Sequence, residues 1–291
     1  MSRFMSGKRV VITGANSGIG WATACALVKM GAELILICRS QPKGLDAIDR
    51  IKTVEPDAVI SLFKCDLSSQ EDIQAVCGQL RSTYAHIDVL INNAGVYLAE
   101  RRQTDDGLEQ TFAVNHMAYF LMCRGLLSCL QAAPKGRIVN VSSFGHRLGS
   151  INFDDYNFER RRYSPMMAYC ASKLMNVQFT RYLANQLVDD KVTVNCLHPG
   201  MVRSGFAVSQ KDAFALLTRL AGAFLVSPER GARTSIHLAT SPDVAQVSGE
   251  YYRSRKIVKP SRQARNMKQA EQLWQLSEAL IRYDPCVPIA F

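Results

Sequence analysis

Arg9-Val10-Val11-Ile12-Thr13 runs straight into Gly14-Ala15-Asn16-Ser17-Gly18-Ile19-Gly20, and an apolar run with helical spacing follows over residues 21–30. The first five residues read as a short buried strand, the glycine-rich stretch as a turn, and the last run as a helix that stops before Gly31. Gly14 permits the tight turn, Gly18 lets the backbone approach a pyrophosphate, and Gly20 lets helix and strand pack closely. A helix opening behind such a turn offers unpaired N–H groups and a partial positive charge to phosphate. Three glycines alone are a weak signal. Here they lie between a strand and a helix, the context in which they bind a dinucleotide.

The same alternation continues outward. Residues 33–38 read as a second strand, a helix follows around 44–54, and 59–65, 88–92, 137–141 and 192–197 supply four more strands between long helices. Their apolar runs are continuous, so both faces of the sheet are covered, as in a parallel sheet. Right-handed crossovers then predict an α/β fold, a single Rossmann-type doubly wound parallel sheet with helices on both faces. No repeat, low-complexity stretch or Pro/Gly/Ser linker divides the 291 residues, which read as one dinucleotide-binding and catalytic domain. Two segments break the alternation directly after strand ends, where ligand loops gather. One is polar and Arg-rich (144–167), the other mostly apolar (204–226).

Composition narrows the function classes. With 47% hydrophobic and 21% charged residues, the chain fits a globular protein that buries a sizeable core. Its net charge of +10 is scattered, apart from concentrations at 160–162 and 253–268, and no basic stripe interleaves with aromatics. That argues against nucleic acid and for a solvated surface that attracts a phosphorylated cofactor. Nine cysteines without a C-x-x-C pair or zinc spacing read as reduced thiols, with no metal and a cytoplasmic setting. No N-terminal apolar h-region, no spanning apolar run and no lipidation signal is expected to act, so membrane contact, if any, is peripheral.

After the second strand, a carboxylate would hold the ribose hydroxyls of NAD. Arg39 stands there instead, followed by Ser40. A guanidinium grips a 2′-phosphate that a carboxylate would repel, so the expected cofactor is NADP(H). Further on, Tyr169 and Lys173 are one helical turn apart and share a face. A phenol ionises near pKa ~10, and an adjacent ammonium favours its phenolate, giving a group able to exchange a proton with a carbonyl or alcohol.

Taken with Asn92-Asn93-Ala94-Gly95, Asn115 and Ser142-Ser143, these motifs make the chain resemble the short-chain dehydrogenase/reductase family over almost its whole length. It looks closest to the retinol dehydrogenase branch. Leu36-Ile37-Cys38-Arg39, Cys65-Asp66-Leu67, Arg137-Ile138-Val139-Asn140-Val141-Ser142-Ser143 and His198-Pro199-Gly200 carry that likeness, with Gln263-Ala264-Arg265-Asn266 and Leu273-Trp274 towards the C-terminus. The resemblance implies that Tyr169 is the general acid/base, Lys173 its tuner, Ser143 the group that hydrogen-bonds the substrate oxygen, and Asn115 the holder of a relay water. It further implies that Asp66 and Leu67 flank adenine and that Asn92 and Gly95 line the adenosine side. Pro199, Gly200 and Ser204 fall by the nicotinamide, and Asn16, Ser17, Ile19, Ala94 and Val202 complete the cofactor's surroundings. Ser204 stands where threonine is more usual and keeps the hydroxyl. Ser17 lies where some NADP-binding members carry a basic residue, which leaves 2′-phosphate selection to Arg39. Trp21 is larger than the family's usual residue and is expected to pack against sheet or loop.

The implied activity is NADP(H)-dependent interconversion of a carbonyl and an alcohol on a small lipophilic substrate, a retinoid or long-chain aldehyde first and a steroid or other ring ketone second. A cofactor-binding regulatory protein without turnover is the rival from another class, and the complete Asn115, Ser143, Tyr169 and Lys173 set stands against it. The long 143–169 gap, with Ile151-Asn152-Phe153-Asp154-Asp155, is similar to that branch's insertion. Phe214-Ala215-Leu216-Leu217 and Phe224-Leu225-Val226 suit a lid over a greasy substrate or contact with a membrane surface. The family pattern also implies a homodimer built on the long helices near Asn115 and Tyr169. Cys170 reads as a buried small hydrophobe, and His146 and His198 as loop-packing residues.

Overall fold

The β-branched run Arg9–Thr13 forms β1, and its Val10, Val11 and Ile12 are fully buried, as continuous apolar sequence requires of a strand covered on both faces. The structure is a computed structural model and describes residues 3–188, 190–200, 202 and 226–282. After β1 come α1 (Gly18–Lys29), β2 (Glu33–Cys38), α2 (Gln41–Lys52), β3 (Ile60–Lys64), α3 (Gln70–Thr83) and β4 (Val89–Asn92). The chain continues through α4 (Gln110–Phe112), a π-helical turn (Ala113–Met117), α5 (Ala118–Ala132), β5 (Arg137–Val141), α6 (Pro165–Gln186) and β6 (Thr193–His198). It closes with α7 (Pro228–Thr240), β7 (Tyr251–Arg253), β8 (Lys256–Ile257) and α8 (Met267–Ala279).

The strands form one sheet in the order β3-β2-β1-β4-β5-β6-β7-β8. β1 pairs in parallel with both β2 and β4, so strand order reverses there and a crevice opens at the strands' C-terminal ends. α1, α2 and α7 pack on one sheet face through Leu27, Ile51 and Leu238. α3, α5 and α6 cover the other through Leu80, Leu126 and Phe179. Burying one such side chain stabilises by roughly 1.5–3 kcal/mol.

The structure departs from the sequence reading at several places. α1 begins at Gly18 and not at 21, because the turn's last glycines form its first turn. α2 begins at Gln41 and not near 44, since Ser40 accepts from the Lys43 N–H and Pro42 suits the first turn. β7 and β8 were absent from the sequence expectation. They are three and two residues long, and the turn between them uses Ser254 and Arg255 at positive φ, with no glycine or asparagine to signal it. β8 is antiparallel, so the sheet is parallel up to its last edge. The segment expected as a 144–167 insertion holds two 3₁₀ turns, Phe144–Arg147 and Phe153–Asp155, and already includes the start of α6 at Pro165. Of the expected 204–226 segment only Val226 is described; Ser204 and both apolar stretches up to Leu225 lie outside the described residues.

α8 lies across α5 and α6. Its Trp274 ring stacks on Phe179 at 6.0 Å and meets Phe120 and Tyr182 at 5.0 and 5.2 Å. α8 thus packs on part of the surface of the long helices that were expected to carry a homodimer contact. Among the described residues no helix is long and apolar enough to cross a membrane.

Candidate active site

The glycine turn sits at the C-terminal end of β1. Gly14 and Gly18 take φ of +68° and +56°, conformations that side chains disfavour. A Cβ on Gly14 would lie 2.9 Å from Ala94 Cα, and one on Gly20 would run into the Gly14 carbonyl and lie 2.5 Å from Asn93 Nδ2. Asn93 explains the tightness: its Nδ2 donates to the Thr13 and Gly14 carbonyls at 2.9 and 3.2 Å. Thr13 Oγ1 in turn accepts from the Asn93 and Ala94 N–H groups at 2.9 and 3.0 Å. Thus Thr13 and Asn93 weld the turn to the end of β4. Sequence reasoning assigned neither of them a role. Ser17 occupies the N-cap of α1 without spending its side chain on a cap bond. An uncapped helix start behind two left-handed glycines is a cradle that fits a pyrophosphate.

The other expected cofactor residues fall around this cradle with one difference. Arg39 is exposed at the end of β2 and makes no ion pair among the described residues. Asp66 accepts from the Ser68 N–H and Oγ, which shapes the turn after β3, and Leu67 packs on the core beside it. Asn92 is fully buried, and its Nδ2 donates to Asn140 Oδ1 at 2.9 Å. Its amide faces the protein interior, so only its backbone is left to line the adenosine side. Ala94 and Gly95 follow at the crevice, with the Ala94 carbonyl accepting from Tyr119 Oη at 2.8 Å. Ile19 and Val202 converge on Gly231 of α7, whose absent side chain leaves them room. Pro199 and Gly200 continue from β6, where Gly200 takes φ +94°. Trp21 receives the Arg50 guanidinium 4.5 Å from its ring centroid, which accounts for the large residue.

Ser164 caps α6 and Pro165 suits its first turn, so the helix presents Tyr169 and Lys173 on one face beside the end of β5. Lys173 is buried, and its Nζ donates to the Val141 carbonyl at 3.0 Å and lies 5.7 Å from the Tyr169 ring centroid. The two serines after β5 divide their tasks. Ser142 is buried and donates to the Lys173 carbonyl at 2.8 Å, which ties α6 to the sheet. Ser143 is hydrogen-bonded to Tyr169. Tyr97, unassigned by the sequence, packs edge-on to the Tyr169 ring at 5.8 Å. Asn115 sits in the π-turn, the kind of helical irregularity that recurs at functional sites. Its side chain clamps Val96, accepting from the N–H at 2.7 Å and donating to the carbonyl at 3.0 Å, and also donates to Ser172 Oγ at 3.0 Å.

Electrostatics differ from the sequence expectation. Burial pushes the Tyr169 phenol up to about 12, against the opposing hydrogen bond with Ser143. Burial also pushes Lys173 down to about 7. Desolvation disfavours both charged forms and outweighs the phenolate–ammonium pairing that the spacing suggested. At neutral pH Tyr169 holds its proton, ready to donate it.

Two histidines brace the Ser143 loop. His146 is fully buried; its Nδ1 lies 2.7 Å from the Ser143 carbonyl and its Nε2 accepts from the Ser261 N–H at 3.2 Å. Donation from Nδ1 to the Ser143 carbonyl is the tautomer that satisfies both bonds. His198 Nδ1 accepts from the Phe144 N–H at 3.1 Å, and burial, with Arg253 and His146 nearby, lowers its pKa to about 4. Cys170 is buried, its thiol raised to about 11 by desolvation. All eight described cysteines are free thiols, and no His, Cys or carboxylate group among the described residues is arranged to hold a metal ion.

Comparison with known proteins agrees with this fold. The family model for short chain dehydrogenases matches residues 8–213. Retinol dehydrogenase 14 of Mus musculus is 39% identical over 292 residues, covering 95% of this chain and 86% of that protein. Retinol dehydrogenase 12 of Homo sapiens is 40% identical over 277 residues, covering 95% and 87% respectively. A crystal structure of a protein from Mycobacterium paratuberculosis superposes with a TM-score of 0.78 at 29% identity, covering 98% of each chain.

Proposed function

The chain belongs to the short-chain dehydrogenase/reductase family, in its retinol dehydrogenase branch, and on that premise we propose that this alcohol/carbonyl oxidoreductase uses NADP(H) on a small lipophilic substrate, a retinoid or long-chain aldehyde. The observation that carries the reading is the meeting of Ser143, Tyr169 and Lys173 at the C-terminal edge of one sheet, beside the glycine cradle. Gly14, Gly18 and the α1 N-terminus would hold the pyrophosphate, and Arg39 would pair with the 2′-phosphate. Bound there, the nicotinamide supplies the hydride.

The chain's own residues do the rest. Ser143 donates to the substrate oxygen and Tyr169 gives it a proton, so charge developing on that oxygen meets two preorganised donors. Lys173 faces Tyr169 and, near its pKa of about 7, can return the proton. With the Asn115 side chain spent on Val96 and Ser172, a relay water falls to its backbone carbonyl. Tyr97 shields the phenol from solvent and sets its ring angle. The 1–291 chain works as one catalytic unit, and a homodimer would form on the long helices where α8 leaves them open. Tyr169→Phe should leave NADPH binding intact and lower turnover of retinal by roughly 100-fold or more, the usual worth of a positioned general acid. Unchanged turnover would remove Tyr169 from the mechanism.

A further inference from the structure

The catalytic edge of the sheet carries charge that the cofactor does not use. From 251 to 270 the sequence has seven Lys or Arg residues and no Asp or Glu. Arg253, Arg255, Lys256 and Lys259 lie on the β7–β8 hairpin and the irregular segment leaving it, all exposed. Arg147, also exposed, joins them: its Nη2 donates to the Lys259 carbonyl at 2.8 Å, and its guanidinium lies 5.8 Å from the Phe144 ring centroid. None of the five makes an ion pair among the described residues. The turn that presents Arg255 holds Ser254 and Arg255 at φ of 51° and 65°, a conformation costly for both residue types.

Apolar groups lie on the loop that carries Arg147: Phe144 and Leu148 are 49% and 64% exposed. The patch reaches the lip of the site, because Arg253 is the register partner of His198, and His198 holds the Phe144 N–H next to Ser143. We propose that this lip docks on an anionic phospholipid surface, with the five cations on the headgroups and Phe144 and Leu148 entering the interface. The active site then opens where a lipophilic substrate leaves the bilayer, a consequence that rests on the oxidoreductase reading while the docking itself does not.

Charge complementarity and shape decide the occupant. One carboxylate engages one or two cations, whereas five spread over a hairpin and a loop address a plane of anions. Phe144 and Leu148 gain from entering an interface of headgroups and acyl chains but gain little against a phosphodiester backbone.

The test is sedimentation of the full chain with phosphatidylcholine vesicles containing or lacking phosphatidylserine, at low and high salt. Binding should require phosphatidylserine and weaken with salt. The Arg255→Ser, Lys256→Ser, Lys259→Ser triple variant should bind roughly 100-fold more weakly, at about fivefold per charge. Leu148→Ser should weaken it further, and neither change should alter the melting temperature or the turnover of a water-soluble aldehyde. Equal binding to both vesicle types, wild-type binding by the triple variant, or stronger retention on duplex DNA than on phosphatidylserine vesicles would overturn the proposal. Vesicle binding that persists in a chain without turnover on any aldehyde would confirm docking and strike only the catalytic reading.

Discussion

Gly20→Ala puts the cofactor cradle to a quantitative test. The added methyl would collide with the Gly14 carbonyl oxygen, lie 2.5 Å from Asn93 Nδ2 and touch Ala15 Cα at 3.0 Å. Two of these obstacles are backbone, and the third is an amide whose two hydrogen bonds tie β4 to the turn. None of the three can give way freely. Overpacking of this kind costs about 1–3 kcal/mol. Displacing Asn93 forfeits two hydrogen bonds of about 1 kcal/mol each. Alanine's better helix propensity returns about 1 kcal/mol. The net expectation is a loss of about 3 kcal/mol, or a melting temperature lower by about 5 °C for a chain of this size. Because the Gly14 carbonyl and the phosphate-facing amides move together, NADPH affinity should fall at least tenfold in the same variant. Thermal melting with and without NADPH, beside fluorescence titration, reads both effects. A variant that melts within about 2 °C of the wild type and binds NADPH normally would refute the close packing of α1 on the turn.

Further outcomes follow from the same geometry. Arg39→Ser should weaken NADPH binding by roughly 10- to 100-fold, the worth of charge-assisted hydrogen bonds, and leave NADH binding unchanged; a parallel loss of both would sink the 2′-phosphate assignment. Stability should rise between pH 4 and 6.5, because His116 and His198, lowered by burial to about 3 and 4, stay neutral in the folded chain while their unfolded counterparts take up protons. The rise should continue from pH 7 to about 8.5, since Lys173 at about 7 has lost its proton where the unfolded lysine keeps it. Above that, buried thiols such as Cys77 and Cys196, raised by desolvation to about 12, reverse the slope. Melting temperature against pH checks the profile, and Lys173→Met should flatten its 7 to 8.5 portion and steepen the fall above it. His146→Leu should cost about 2–5 kcal/mol by orphaning the Ser143 carbonyl and the Ser261 N–H, while His146→Asn, which can still donate near the Nδ1 position, should lose less. Equal melting temperatures for the two variants would refute the clamp.

The particular residues show which signals were legible in sequence. β1, β2 and β5 match the expected bounds because their apolar runs are continuous and end at turn residues. Tyr169 and Lys173 are visible because a helix brings residues four apart onto one face. Tyr97, Thr13 and Asn93 were not, since each acts through a neighbour distant in sequence: Tyr169 for the first, the β4 end and the β1 turn for the other two. β7 and β8 are too short for any periodicity, and α8 reveals its role only once Trp274 is seen against Phe120 and Phe179.

The sequence by itself determined the order of strands and helices as far as β6, the glycine turn, the basic residue after β2 and the Tyr–Lys pair, because each is a local pattern whose physics is complete within a few residues. Tertiary structure alone decided the protonation of the site. Burial raises Tyr169 and lowers Lys173 where the spacing had suggested an ion pair, since desolvation depends on everything packed around a group. It likewise decided that α8 packs on the long helices and that Arg147, from one loop, joins the cations of a hairpin over a hundred residues later to form one surface.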